Sequence, residues 1–237
     1  MVKDMDTSLY KELPYVIVPQ NDCHMFIDKI NITEKSKLYY KGNVFPTNNF
    51  YPILGICDSS SFGDNFGIEI FGDNTISFSH GSTFTNTEVK VTKSNNLIEA
   101  EFTGSGYVKI NNQIIDNTAN ATTFNRGYLY ILGGYNGEDS YTAPQYVYRI
   151  KLYEDGTTLS YDFVPCKRLS DNVVGLYDNV HDIFYTSVHE YYEPDNVMDN
   201  VTAIQIPEGN VTKIENKEGK ILWTNINKAA NIQNTIL

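Results

Sequence analysis

Short runs of alternating apolar and polar residues, each ended within a few positions by Gly, Asn, Asp or Ser, recur along most of the chain. They fall at residues 14–18, 26–32, 51–57, 66–71, 75–79, 88–92, 97–102, 107–110, 128–132, 145–153, 159–164, 173–177 and 183–186. Side chains alternate across a strand, whereas on a helix they return to one face every third or fourth residue, so this rhythm admits strands and argues against a helical domain. Many short strands separated by turn residues predict an antiparallel sandwich or barrel. The 18 Tyr and 12 Phe agree with that, because aromatic rings fit a pleated, half-buried surface. At 237 residues one large β domain, with at most a small appendage, is expected.

Charge narrows the partners. A formal charge of −11 with no basic run argues against nucleic acid, which is bound mainly through clustered Lys and Arg, and against anionic membranes. Cys23, Cys57 and Cys166 are odd in number and far apart, which indicates neither a disulfide framework nor a zinc site. Residues 1–10 are polar and charged rather than an apolar leader, and no run is long enough to span a membrane, so folding in a cytoplasm is the expectation.

Residues 146–153 alternate most clearly. Strict alternation puts Tyr146, Tyr148, Ile150 and Leu152 on one face and Val147, Arg149, Lys151 and Tyr153 on the other. Asp155-Gly156 then predicts a tight turn into a second strand, ended by Pro165. Gly175 is expected to permit a bend or bulge in the strand that follows. The composition supports a sandwich over residues 11–192, a linker at 193–200, a short β appendage at 201–226 with strand candidates at 202–206, 211–215 and 220–223, and a tail at 227–237 that is frayed or docks.

The blocks Tyr148-Arg149-Ile150-Lys151-Leu152-Tyr153-Glu154-Asp155-Gly156, Tyr161-Asp162-Phe163-Val164-Pro165-Cys166, Asn172-Val173-Val174-Gly175-Leu176-Tyr177-Asp178 and Ile183-Phe184-Tyr185-Thr186 together are distinctive. They resemble the C-terminal half of laminin-G-like, concanavalin-A-like sandwich domains found in bacteriophage structural proteins and gut-bacterial surface proteins. Residues 95–115 look like the family's hairpin, and residues 211–223 look like a β appendage seen beside such domains in phage tail and fibre proteins. The resemblance implies an all-β, antiparallel jelly-roll β-sandwich with a small C-terminal β appendage. It also implies a virion component assembled in the host cytoplasm: a head fibre, a capsid decoration or a tail-fibre piece. Its partners would be other virion proteins, further copies of itself (three if it is a fibre) and a host-surface glycan. A cellular lectin-like protein is the alternative, and a glycan-cleaving enzyme a more distant one.

No catalytic constellation stands out. A glycosidase needs two carboxylates across a cleft, and the Glu-x-Asp-x-x-Glu string of the related glucanases is absent. Glu99 and Glu101 read instead as the outward acids of an amphipathic strand, with Ile98, Ala100 and Phe102 inward. His24, His80, His181 and His189 lack ligand spacing and are expected to be structural. Cys166 sits beside Lys167 and Arg168, which could lower its pKa, but the resemblance places it at a strand end and implies a small apolar filler rather than a reactive thiol. No cofactor is indicated, although calcium has hard oxygen ligands on offer in Asp58, Asp64 and Asp73; the turn preference of Asp accounts for the same residues. A sugar site is sketched by Tyr135, Asn136, Glu138 and Asp139 in the loop after Gly133-Gly134, where a ring and polar groups could project.

Overall fold

The structure is a computed structural model that describes residues 5–18, 25–57, 65–81, 83–116, 124–131, 134–135, 140–186, 213–215, 221–225 and 234–235. In chain order the strands are β1 (Tyr10–Glu12), β2 (Val16–Val18), β3 (Met25–Ile32), β4 (Lys37–Val44), β5 (Tyr51–Cys57), β6 (Asn65–Ile70), β7 (Thr75–Gly81), β8 (Thr83–Lys90), β9 (Leu97–Thr103), β10 (Tyr107–Ile110) and β11 (Gln113–Asp116). They continue as β12 (Phe124–Ile131), β13 (Gly134–Tyr135), β14 (Ser140–Tyr141), β15 (Gln145–Tyr153), β16 (Tyr161–Arg168), β17 (Val174–Asp178), β18 (Ile183–Tyr185), β19 (Lys213–Glu215), β20 (Ile221–Asn225) and β21 (Asn234–Thr235). No helix occurs among the described residues.

Two antiparallel sheets make an all-β sandwich of the jelly-roll kind. The ten-stranded sheet runs β11-β10-β9-β4-β15-β16-β17-β18, with β2 added beside β15 and β1 beside β16. The six-stranded sheet runs β3-β12-β5-β6-β7-β8. Leu38, Tyr40, Ile98, Phe102, Val108, Ile150 and Leu152 from the first join Leu54, Phe66, Ile68, Ile76 and Phe78 from the second in one buried core. Phe102 bridges the sheets directly, its ring 4.8 Å from Phe66 and 5.0 Å from Phe78. Facing inner surfaces of this kind carry most of the hydrophobic stabilisation in a sandwich.

The strand at the centre of the larger sheet, β4, is absent from the runs picked out by alternation in the sequence. Leu38, Tyr40 and Val44 are buried while Lys37, Tyr39, Lys41 and Asn43 are half-buried, so the period of two is intact. It is hidden in the sequence by adjacent tyrosines and by Gly42 at an inward position. Tyr40 explains the glycine: its phenol lies across Gly42 to donate to Gln145 Oε1 at 2.8 Å, and a Cβ at 42 would fall 2.2 Å from that hydroxyl oxygen.

Three local expectations need correction. Pairing of β15 with β4 shifts register between Val147 and Arg149, a bulge that resets the alternation. Val147, Ile150 and Leu152 therefore point inward, while Tyr146 and Tyr148 are half-buried and share the outer face with Arg149, Lys151 and Tyr153. Pro165 does not end β16, which runs on to Arg168; Pro165 pairs with Leu176, and its carbonyl accepts from the Leu13 amide at 2.9 Å. Gly175 sits in a regular stretch without a bulge, and its need for a hydrogen side chain comes from β18, since a Cβ there would lie 2.2 Å from Tyr185 O. The Asp155-Gly156 turn is present, with Gly156 at φ +81° and the Asp155 carboxylate accepting from the amides of Thr157 and Thr158, but it extends to residue 160 before β16 begins.

The chain separates into a unit spanning Met1–Tyr191 and one spanning Tyr192–Leu237. The second holds a three-stranded antiparallel sheet, β19-β20-β21, so the small C-terminal β appendage is present. Its third strand lies within residues 227–237, expected to be a tail; the strand candidate at 202–206 falls outside the described residues.

Candidate functional site

The outer face of the ten-stranded sheet carries an open groove of about 570 Å³. Its lining comes from the β4, β9 and β10 strands and the turns beside them: Tyr39, Leu97, Glu99, Glu101, Lys109 and the asparagines at 95, 111 and 112. Each arrives by a simple local rule. Tyr39, Glu99, Glu101 and Lys109 are outward because their neighbours Leu38, Tyr40, Ile98, Ala100, Phe102, Val108 and Ile110 are core. Asn111 and Asn112 have φ of 45° and 70°, the two left-handed residues of a hairpin turn joining β10 to β11.

The face is cross-linked. Tyr39 donates its hydroxyl to Glu99 Oε1 at 2.9 Å, and Lys41 Nζ lies 3.2 Å from Glu99 Oε2. These partners hold the Glu99 carboxyl below the usual range, the Tyr39 bond foremost, whereas burial first and then Glu99 push the Tyr39 hydroxyl up to about 12. Lys37 stands 3.7 Å from Glu101 and over the Tyr153 ring. Arg149 grips the buried Asp162 with two bonds of 2.7 and 2.6 Å. Asn111 accepts from the Glu99 amide and donates to Leu97 O, both at 2.9 Å, which fixes the turn against the strand.

Beside the groove an aromatic ridge rises. Tyr15 stacks on Tyr146 at 4.8 Å and tilts against Tyr148 at 5.5 Å, and Phe45 meets Tyr146 edge-on at 4.9 Å. Tyr148 donates to Asn43 Oδ1 at 2.6 Å, and Asn43 donates in turn to Asn96 at 2.7 Å. The Tyr146 hydroxyl is buried and that of Tyr148 is given to Asn43, so the ridge offers half-buried ring surface next to fixed amides, which suits a polar ligand with flat apolar patches. A glycoside-cleaving acid requires a raised carboxyl pKa, and Glu99 is displaced the other way.

The residues singled out in the sequence fall elsewhere. Tyr135 belongs to β13, which pairs with β14 in a two-stranded sheet; Asn136, Glu138 and Asp139 lie outside the described residues. Asp58 and Asp64 also lie outside them, while Asp73 is engaged in its own turn, accepting from the Thr75 amide and hydroxyl at 3.0 and 2.8 Å and meeting Lys90 Nζ at 3.2 Å. No trio of His, Cys, Asp or Glu is placed to hold a metal among the described residues. Glu99 and Glu101 face outward as read. Cys166 is buried with Val164 and Tyr177, and burial pushes its thiol up to about 12 despite the adjacent cations. His181 Nδ1 bonds the buried Asp178 carboxylate at 2.5 Å, tying the turn between β17 and β18; His24 and His189 fall outside the described residues. What sequence reasoning missed is Tyr39 and the outward placement of Tyr146 and Tyr148. The first lies in β4, whose alternation is hidden by adjacent tyrosines and Gly42, while the other two depended on a bulge.

No protein-family model matches the chain. No curated protein matches it either. Among solved structures, the CBM40 module of the Ruminococcus gnavus IT-sialidase, bound to alpha2,3 sialyllactose, is 10% identical, covers 63% of this chain and 93% of its own, and superposes with a TM-score of 0.43. The heptameric SAP-like pentraxin from Limulus polyphemus is 9% identical over 65% of this chain and 80% of its own, with a TM-score of 0.45. Scytalido-glutamic peptidase is 11% identical over 73% and 96%, with a TM-score of 0.34. These are likenesses of strand arrangement and carry no argument about function.

Proposed function

We propose that this chain is a non-catalytic glycan-binding sandwich whose ligand lies along the groove on the outer face of the ten-stranded sheet. The observation that carries this reading is the groove itself, an open channel floored by Tyr39 and edged by the asparagines at 95, 111 and 112. Sugars present alternating hydroxyls and flat C–H faces, and a ring with fixed amide and carboxylate partners matches both. Glu99 accepts from Tyr39, which orients the ring before any ligand arrives. Replacing Tyr39 by Ala is expected to weaken binding at least tenfold, about 1.4 kcal/mol, on a glycan array followed by calorimetry with the best ligand. Absence of binding to any glycan, or unchanged binding by Tyr39→Ala, defeats the reading.

A second reading concerns where the domain works. The blocks at residues 148–156, 161–166, 172–178 and 183–186 resemble phage sandwich domains, and on that basis the chain is a virion component, assembled with other virion proteins and further copies of itself. Gold-labelled antibody on purified particles, with mass spectrometry of the same preparation, is expected to find it at a fibre or on the capsid. Its absence from particles removes the virion reading and leaves a cellular lectin.

A further inference from the structure

The groove face departs from the charge of the rest of the molecule. The chain carries −11 overall, yet on β10, β9, β4, β15 and the part of β16 paired with β15 the outward cations Lys37, Lys41, Lys109, Arg149 and Lys151 outnumber the outward carboxylates Glu99, Glu101 and Asp162. The three carboxylates are each matched by a cation: Glu99 by Lys41, Glu101 by Lys37 and Asp162 by Arg149. Lys109 and Lys151 are left without a carboxylate within ion-pair distance among the described residues, although Lys109 acts on Glu99 at longer range and Lys151 is opposite Asp162, which Arg149 already holds.

Their placement is ordered by the sheet. Lys109 is opposite Glu101, Glu101 is opposite Tyr39, and Tyr39 is opposite Lys151, so all four stand in one row perpendicular to the strands. Three inter-strand steps separate the two lysines, roughly 14 Å at the usual spacing, with the Tyr39 ring between them. That is the span of a short oligosaccharide lying across the strands.

We propose that the groove, together with the neighbouring outer face of β15 beyond its lining, takes an anionic oligosaccharide, one bearing carboxylate or sulfate groups, with Lys109 in the groove and Lys151 on β15 each holding an acidic group on either side of a sugar ring over Tyr39. This rests on the glycan reading above and adds the ligand's charge. Exposed charges interact over about 8 Å at physiological salt, so the acidic remainder of the chain does not cancel a direct contact, although it gives no long-range attraction. Each ammonium sits where a neutral sugar has nothing to neutralise it, and an acidic group there forms a charge-assisted bond.

The test compares matched probes on the full chain by calorimetry: oligogalacturonate against its methyl ester, and a chondroitin sulfate oligosaccharide against its desulfated and carboxyl-reduced form. At least a tenfold preference for an acidic member is expected, shrinking as salt is raised. In the double variant Lys109→Gln and Lys151→Gln the preference is expected to fall toward unity, and Lys109→Arg with Lys151→Arg is expected to restore it. Equal affinity for acidic and neutral members overturns the anionic assignment while leaving glycan binding intact. A preference that persists in the Gln variant overturns the roles of these two lysines. No binding of any probe, together with a blank glycan array, removes the glycan reading and this inference with it.

Discussion

Glu69 and His80 lie on neighbouring strands of the six-stranded sheet and point to opposite faces, since Glu69 pairs with Ser77 whereas His80 pairs with Phe66. Both are almost wholly buried, at 4% and 2% exposure, and both keep polar atoms without a partner among the described residues: Glu69 Oε2 and the two ring nitrogens of His80. Glu69 Oε1 accepts from Ser79 at 2.5 Å, which does not offset desolvation, and burial raises the carboxyl to about 8. Burial lowers His80 to about 4. The two act on stability in opposite pH ranges. The unfolded carboxyl ionises near its ordinary 4.5 while the folded one stays protonated, so stability is full below that point and is lost as pH rises toward 8. Unfolded His80 takes up its proton near 6.5 while the folded ring does not, so stability is full above that point and is lost as pH falls toward 4. Glu69→Gln keeps an acceptor for Ser79 and cannot ionise. Urea unfolding is expected to show the variant gaining on the native chain between pH 4.5 and 8.5, by on the order of 2–4 kcal/mol. A difference that does not change with pH contradicts a protonated, buried Glu69.

At the scale of elements, most turns are closed by the residues that precede or form them. Asn111-Asn112 supplies the positive φ angles of one hairpin, and Asp155 caps the loop of another. Gly175 works differently. It lies within β17, and its lack of a side chain lets the Tyr185 carbonyl and the Phe184 ring of β18 approach. Backbone cannot yield as a flexible side chain does, so Gly175→Ala is expected to push β18 away and cost about 1–3 kcal/mol. Thermal unfolding measures the loss, and hydrogen exchange is expected to rise at Leu176–Asp178 and Ile183–Tyr185 more than in β4 or β9. Unchanged exchange in β18 refutes the close approach as the reason for the glycine.

For the whole molecule, among the described residues every strand pairing of β1 through β18 is made within residues 10–185, and the last three strands pair with one another. The described core residues likewise all belong to the first unit. A chain cut after Tyr191 is expected to unfold in urea as one cooperative transition with nearly the midpoint of the full chain, because the buried apolar surface that sets its stability is retained. A midpoint lowered by more than 1 M places part of the sandwich's stability in residues 192–237.

Sequence alone determined the all-β architecture, because a period of two repeated with polar turns can bury one face only by packing sheet on sheet. It also determined that Glu99 and Glu101 face outward, since their immediate neighbours decide it; for Cys166 the neighbours Lys167 and Arg168 pointed to a reactive thiol, and the filler reading came from the resemblance of residues 161–166. It did not reveal Tyr39 as the floor of a groove, nor which face Tyr146 and Tyr148 would take. Strict alternation placed those two with Ile150 and Leu152, and one extra residue in β15 turned them outward. A bulge is set by the register between β15 and β4, strands more than a hundred positions apart, so no local pattern contains it. The row from Lys109 through Glu101 and Tyr39 to Lys151 has the same origin. Its members come from four strands, and only the tertiary pairing of those strands brings them to one line.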